Sequence, residues 1–378
     1  MHVYTLRSEL LTEARTRLQS GDARLRPALE ALREEAEAAL PAPLPSVIGK
    51  KLLPPSGDRH DYVSFGTYWW PNPDTPDGLP YVRRDGEVNP EFAADSDTYR
   101  MRAMLVPVET LALAFFFTGH DPYAEKAAAL LRCWFLDPET RMNPHLQFGQ
   151  GIPGRLTGRG IGIIDTLHFT RLLDAIGLLE GSPAWTAEDL QGMRAWIAAY
   201  LDWLLTSDYG RDEARHPNNH GTWFRAQAAA YALFTGQPQI AHNQIASTFA
   251  WIDAELAPDG AQPHELARTR SWDYSVMNLE AFARLAEMAR HVDLDLWGYV
   301  SPTGGSLRAC IDYLAPYADP AATWPRQQIH PINPLHGLPD HLRRAAIVYG
   351  EPQYDAWLAK LPEDGLRRHR VQLLYPVS

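Results

Sequence analysis

Apolar residues recur at intervals of three and four through almost all of this chain. Segments 25–40, 98–118, 122–135, 166–179, 187–205, 222–234, 240–256, 276–291, 306–317, 338–349 and 354–361 carry that spacing, which gathers an apolar stripe on one side of an α-helix. Runs rich in β-branched residues with strict alternation are nearly absent, so helices must supply the core. Several segments end on a stop signal: Thr118-Gly119-His120-Asp121-Pro122, Thr235-Gly236-Gln237-Pro238 and Tyr349-Gly350-Glu351-Pro352. Glycine accepts the left-handed turn that closes a helix, and a proline just beyond cannot continue it. The first two signals echo each other as turns between paired helices, without a fixed repeat period. About a dozen helices with alternately short and long connections predict an all-α fold, a toroid of helical hairpins whose long connections line a cleft. The longest irregular stretches, 71–90 and 143–162, contain or adjoin Trp69, Trp70, Tyr81 and Phe148, which predicts ordered, functional loops. No linker divides the chain, so a single domain over residues 1–378 is expected.

Hydrophobic residues make up 45% and charged residues 21%, as in a globular protein with a sizeable core. A net charge of −11 argues against nucleic acid or a membrane surface as partner, while a locally basic cleft could still hold an anion. The only lysines are Lys50, Lys51, Lys126 and Lys360. Genome composition is the plain reason for so arginine-rich a chain, although arginine also grips carboxylates best. Cys133 and Cys310 sit in helical patterns and read as buried thiols. No apolar run approaches the roughly 18 residues of a membrane span. The first 19 residues have scattered charges and no leader-like apolar stretch. The chain as it stands reads as cytoplasmic, or as periplasmic or secreted if a leader has been removed.

The richest motif chemically is Asn218-Asn219-His220-Gly221, heading the 222–234 segment. His216 and His220 have the spacing of metal ligands on one helix face. Pro217 pushes His216 out of helical geometry, and no Glu stands beside either His in the zinc-protease pattern. Either Asn also reads as a helix cap. A helix start favours a bound anion through exposed N–H groups and its dipole, so a substrate carboxylate could sit against Asn219, His220 and free backbone donors. The second element is Glu265-Leu266-Ala267-Arg268-Thr269-Arg270-Ser271-Trp272-Asp273-Tyr274. It reads as a charged helix start with one inward aromatic, or as a phenol whose phenolate an arginine favours. Arg268 and Arg270, two apart, do not share a helix face. The third element, Tyr68-Trp69-Trp70-Pro71-Asn72-Pro73, reads equally as a sugar-stacking platform and as a proline-stiffened packing loop. The fourth, 147–165, lacks a phosphate-loop ending and a preceding strand. It reads as a cleft-lining loop offering the Gln150 amide and the Arg159 guanidinium.

Tyr68-Trp69-Trp70-Pro71-Asn72-Pro73 with the following 83–90 stretch, the 158–165 stretch, Asn218-Asn219-His220-Gly221, and the 265–271 stretch with Tyr274, taken in order, resemble the alginate lyase superfamily. The resemblance covers residues 55–330. It is closer to a branch acting on alginate or β-1,4-glucuronan than to the periplasmic polymannuronate lyases. It implies an incomplete (α/α) toroid, no metal or cofactor, and β-elimination on an acidic polysaccharide or oligosaccharide. By position, Tyr274 would transfer the proton, Asn219 and His220 would flank the uronate carboxylate, and Arg268 would support the phenol or the carboxylate. Arg270, Asn218, Glu213, Gln150, Arg159, Trp69, Trp70 and Tyr68 are the expected substrate-binding residues. The absent secretion signal departs from the family's pattern. Oligomeric state, and syn or anti elimination, stay open.

The expected chemistry starts from a C5 proton too weakly acidic to leave while the adjacent carboxylate is fully anionic. Asn219 and His220 would offset that charge, fixed donors would stabilise the enolate-like state, and Tyr274 would take the proton. Two other readings remain. An inverting glycoside hydrolase would need two carboxylates roughly 6.5–9.5 Å apart, with Glu213, Asp165 and Glu265 as candidates. A non-catalytic acidic-saccharide-binding protein would need only the aromatic loop.

Overall fold

The computed structural model describes residues 1–92 and 96–376. They are mostly helical, with four strands of two to four residues. The chain packs as two compact units. One comprises Met1–Glu37, Pro217–Ala229 and Pro238–Ser378, the other Ala38–His216 and Ala230–Gln237.

In the first unit the most buried helix is Ser271–Ala289, which packs against Pro238–Glu255, Pro263–Leu266, Leu307–Leu314 and Leu338–Tyr349. Every residue from Ala281 to Ala289 is buried. Alanines at 281, 283, 286 and 289 let neighbouring helices approach, and the charged residues among them are paired, as burial requires. Arg284 donates to Glu280 at 2.8 Å, and Glu280 also accepts from Arg344 at 2.6 Å. Glu287 takes two bonds from Arg7, each 2.8 Å. Helix Ser8–Gln19, following Arg7, was not legible in the sequence, because Leu11 and Ala14 are its only buried residues.

In the second unit helix Asp97–Thr118 packs against Asp121–Leu131 and Phe169–Leu178. Asp97–Thr118 corrects one expectation: by length and composition it could cross a membrane, with a window mean hydropathy of 1.5. Counting uninterrupted apolar runs missed it, since Arg100, Arg102 and Glu109 break the run. In the fold 61% of that window is buried, where Met104, Val108 and Leu111 form core. Gly119 closes the helix in the left-handed region at φ +68°, its N–H on the Phe115 carbonyl at 2.7 Å, as the stop signal predicts. Two small strand pairs hold the irregular stretches. Val63–Phe65 lies parallel to Phe148–Gly151, and Trp69–Trp70 lies antiparallel to Val82–Arg83.

Candidate active site

Helix Asn219–Phe234 starts directly after Pro217 and Asn218. Asn218 is its cap: its side-chain oxygen accepts the His220 N–H at 3.0 Å. The Asn219 N–H donates to Glu265 Oε1 at 2.6 Å, and the Asn219 side-chain Nδ2 donates to Glu265 Oε2 at 2.8 Å. The helix start that the sequence reading assigned to a substrate anion thus already holds a protein carboxylate, from a residue 46 positions away. Both residues are buried, Asn219 wholly and Glu265 to 1% exposure. Asn219 Oδ1 is buried and has no hydrogen-bond partner among the described residues. Leaving such an acceptor unmet costs about 1–3 kcal/mol.

Glu265 lies in the short helix Pro263–Leu266, which Pro263 opens. Beyond it the chain is pinned from both sides. Thr269 accepts from the Ile329 N–H at 3.0 Å, and Ser271 donates N–H to Gln327 at 3.2 Å. Helix Ser271–Ala289 then begins with Trp272 buried edge-on against Trp324 and Tyr317, with ring centroids 5.2 and 5.9 Å away. Residues two apart face different sides of a helix, so burying Trp272 leaves Tyr274 half-exposed. The two arginines divide their roles. Arg268 Nη2 donates to Tyr274 Oη at 3.0 Å, and its guanidinium carbon lies 4.0 Å from the phenol ring centroid. Arg270 pairs with Asp273 at 2.7 Å.

Burial pushes the Glu265 carboxyl above the usual carboxylate range. The two Asn219 N–H groups oppose that shift, as do the charges of Arg268 and then His220. Asn219, His220 and Arg268 therefore all act on one buried carboxylate. Sequence reasoning placed Glu265 only among hydrolase candidates. The signal available was its place in the 265–274 run, which does not say that its partner lies in another helix.

The other named residues lie in the second unit. Asp165 accepts from Ser64 at 2.5 Å, Gln150 Nε2 at 2.9 Å, Tyr62 at 3.0 Å and Thr98 at 3.3 Å. Gln150 adopts φ +49°, rare for a non-glycine residue. Its side-chain oxygen and its carbonyl each accept from Arg159 at 3.0 Å. Arg159 is shifted down to about 10 by burial, against the attraction of Asp165. Glu213 is wholly buried and adds a weaker attraction to Arg159. Over Trp69 lie the guanidinium groups of Arg155 and Arg159, 5.4 and 5.9 Å from the ring centroid. Arg84 lies 5.0 Å from that of Trp70. A methyl group on Gly66 would come within 2.5 Å of Trp69, so only glycine allows this packing. Tyr68 is half-exposed, and its carbonyl accepts the Arg84 N–H at 2.8 Å. His216 stands outside the helices and pairs with Asp212 at 3.8 Å. Among the described residues no three His, Cys, Asp or Glu side chains gather as a metal site.

The sequence pattern of the alginate lyase family matches residues 46–324. The crystal structure of an alginate lyase from Bacteroides ovatus is 36% identical over 100% of both chains, with a TM-score of 0.93. The chain belongs to the alginate lyase family. As a member it is a polysaccharide lyase. Alginate lyase A1-III from Sphingomonas species A1 shares the fold at 16% identity, with a TM-score of 0.61 over 97% of this chain and 95% of that one. A Tyr-to-Phe variant of A1-III, complexed with a tetrasaccharide, matches over the same shares at 16% identity and a TM-score of 0.60. No curated protein sequence matches significantly.

Proposed function

We propose that this lyase cleaves a 1,4-linked polyuronate, with polymannuronate (alginate) first and glucuronan second, by metal-independent β-elimination. The observation that carries the reading is the 3.0 Å hydrogen bond from Arg268 to the Tyr274 phenol. A guanidinium N–H on the phenol oxygen, with the cation over the ring, stabilises that oxygen as it carries negative charge. Tyr274, as phenolate, takes the C5 proton. Asn219 and His220 offset the charge of the neighbouring carboxylate. The C5–H electron pair becomes the C4–C5 double bond, the C4–O4 bond breaks, and O4 receives a proton from the phenol or from His220. No water is consumed. The 36% identical relative is named an alginate lyase, which supports the substrate class. A tetrasaccharide complex of the more distant A1-III is consistent with an oligosaccharide ligand. We infer further that the helical hairpins belong to an incomplete (α/α) toroid, a reading supported by the mostly helical structure and the likeness to alginate lyase structures.

The hydrolase alternative is weakened by geometry. A general acid or base must reach the glycosidic oxygen or the attacking water, but Asp165 is turned to four protein donors and Glu265, 1% exposed, is turned to Asn219 through both oxygens. The test is an ultraviolet absorbance screen against polymannuronate, polyguluronate, glucuronan and hyaluronan. Elimination leaves a conjugated double bond and hydrolysis does not. Bond cleavage without the absorbance band would overturn the proposal.

A further inference from the structure

We propose that Glu265 is a positioning residue, and that the proton it gains or loses decides which end of the Asn219 side-chain amide meets the substrate carboxylate. The inference rests on the assignment of that carboxylate to Asn219 made above. In the structure both Glu265 oxygens accept from Asn219, one from the backbone N–H at 2.6 Å and one from Nδ2 at 2.8 Å. This arrangement suits an ionised Glu265, since a carboxylate only accepts. It leaves Oδ1 as the amide atom without a partner. A bare carbonyl oxygen cannot bond an ionised uronate and repels it. If Glu265 is protonated, its O–H donates to Oδ1 after a half-turn of the amide. Its other oxygen still accepts the Asn219 backbone N–H, and Nδ2 is turned out as a donor to the uronate.

The groups whose positive charge acts on Glu265 are Arg268 and, when its imidazole carries a proton, His220. Both favour the ionised form, while burial opposes it. A uronate carboxylate arriving beside this group adds a like charge and favours the protonated form. Binding of substrate therefore takes up a proton at Glu265. Affinity falls as pH rises through the titration of this group, because the unprotonated site must first acquire that proton.

The experiment is calorimetric binding of a mannuronate tetrasaccharide to the full chain carrying Tyr274→Phe, which blocks turnover. Titrations in buffers of different ionisation enthalpy count the protons exchanged. Proton uptake is expected in this parent, retained with added His220→Gln, and lost with added Glu265→Gln. Gln presents an N–H donor on one side and an acceptor oxygen on the other and so mimics the protonated acid. The affinity of the parent should fall about tenfold or more as pH rises through the titration of Glu265, while that of the Glu265→Gln protein should stay nearly flat. If uptake disappears in His220→Gln, or persists in Glu265→Gln, the inference is overturned. The His220→Gln arm still decides the matter should Glu265→Gln not fold. Asn219→Ala separates the two levels of the argument. If it binds as tightly as the parent, the assignment of the carboxylate fails. If it binds weakly while Glu265→Gln keeps the parent's pH slope, only the switch fails. Absence of binding at every pH overturns both.

Discussion

Replacing Arg268 by Lys keeps the charge and removes the planar fork. Arg268 reaches the Tyr274 oxygen at 3.0 Å while lying 4.0 Å from the ring centroid. A lysine ammonium on a flexible stem does not make both contacts at once. A hydrogen bond to a charged group contributes about 1.5–3 kcal/mol. Where the phenolate is the minor form at the assay pH, losing that stabilisation lowers its population, and with it kcat, by roughly ten- to 150-fold. Because the contact is to the proton carrier and not to the substrate, KM should change little. The rising limb of the kcat–pH profile should also move to higher pH, since a less stabilised phenolate forms later. Initial rates come from the ultraviolet absorbance of the unsaturated product, with circular dichroism to confirm folding. Arg270→Lys is the control, because Arg270 pairs with Asp273 in a half-exposed bridge, and it should stay within about threefold of wild type. A folded Arg268→Lys protein with kcat/KM within about twofold of wild type would refute the reasoning.

Two further predictions concern the scaffold. Asp165→Ala leaves the donors of Tyr62, Ser64, Thr98 and Gln150 without their common acceptor; urea unfolding should show a loss of about 3 kcal/mol or more, and under 1 kcal/mol would contradict the role of Asp165 as the hub of these hydrogen bonds. Wholly buried His341, with one ring nitrogen 3.3 Å from the Val276 carbonyl, is pushed down from 6.5 to about 4 chiefly by burial. The folded state then resists a proton that the unfolded state accepts, so stability falls as pH drops below the unfolded value, by about 2 kcal/mol near pH 5. His341→Gln should remove that acid-side slope, and an unchanged slope would refute the assignment.

Much of the helical framework was legible because it depends on local repetition. The glycines at 119, 236 and 350 all adopt positive φ, as their stop signals require. Asn218, Asn219, His220, Arg268 and Tyr274 could be singled out because amide, imidazole, guanidinium and phenol together suggest one chemistry. What sequence could not show is where side chains end. The bond from Glu265 to Asn219 crosses 46 residues, and no local pattern encodes it. Gln150 and Arg159 read as cleft groups, yet they bond to each other. The rings of Trp69 and Trp70 read equally as a sugar platform and as a packing loop, and no local pattern shows the guanidinium groups that lie near them. Burial of Trp272, which turns Tyr274 to another side of its helix, depends on Trp324 and Tyr317 from later in the chain.

The central claim is that Tyr274 moves the proton in an elimination that uses no water. The direct measurement is digestion of polymannuronate by wild type and by Tyr274→Phe, following ultraviolet absorbance and product mass together. Wild type should build the absorbance band and yield fragments whose masses sum to the parent without added water, while folded Tyr274→Phe should yield neither band nor fragments. Fragments carrying one added water per cleavage, or Tyr274→Phe turning over at the wild-type rate, would contradict the account.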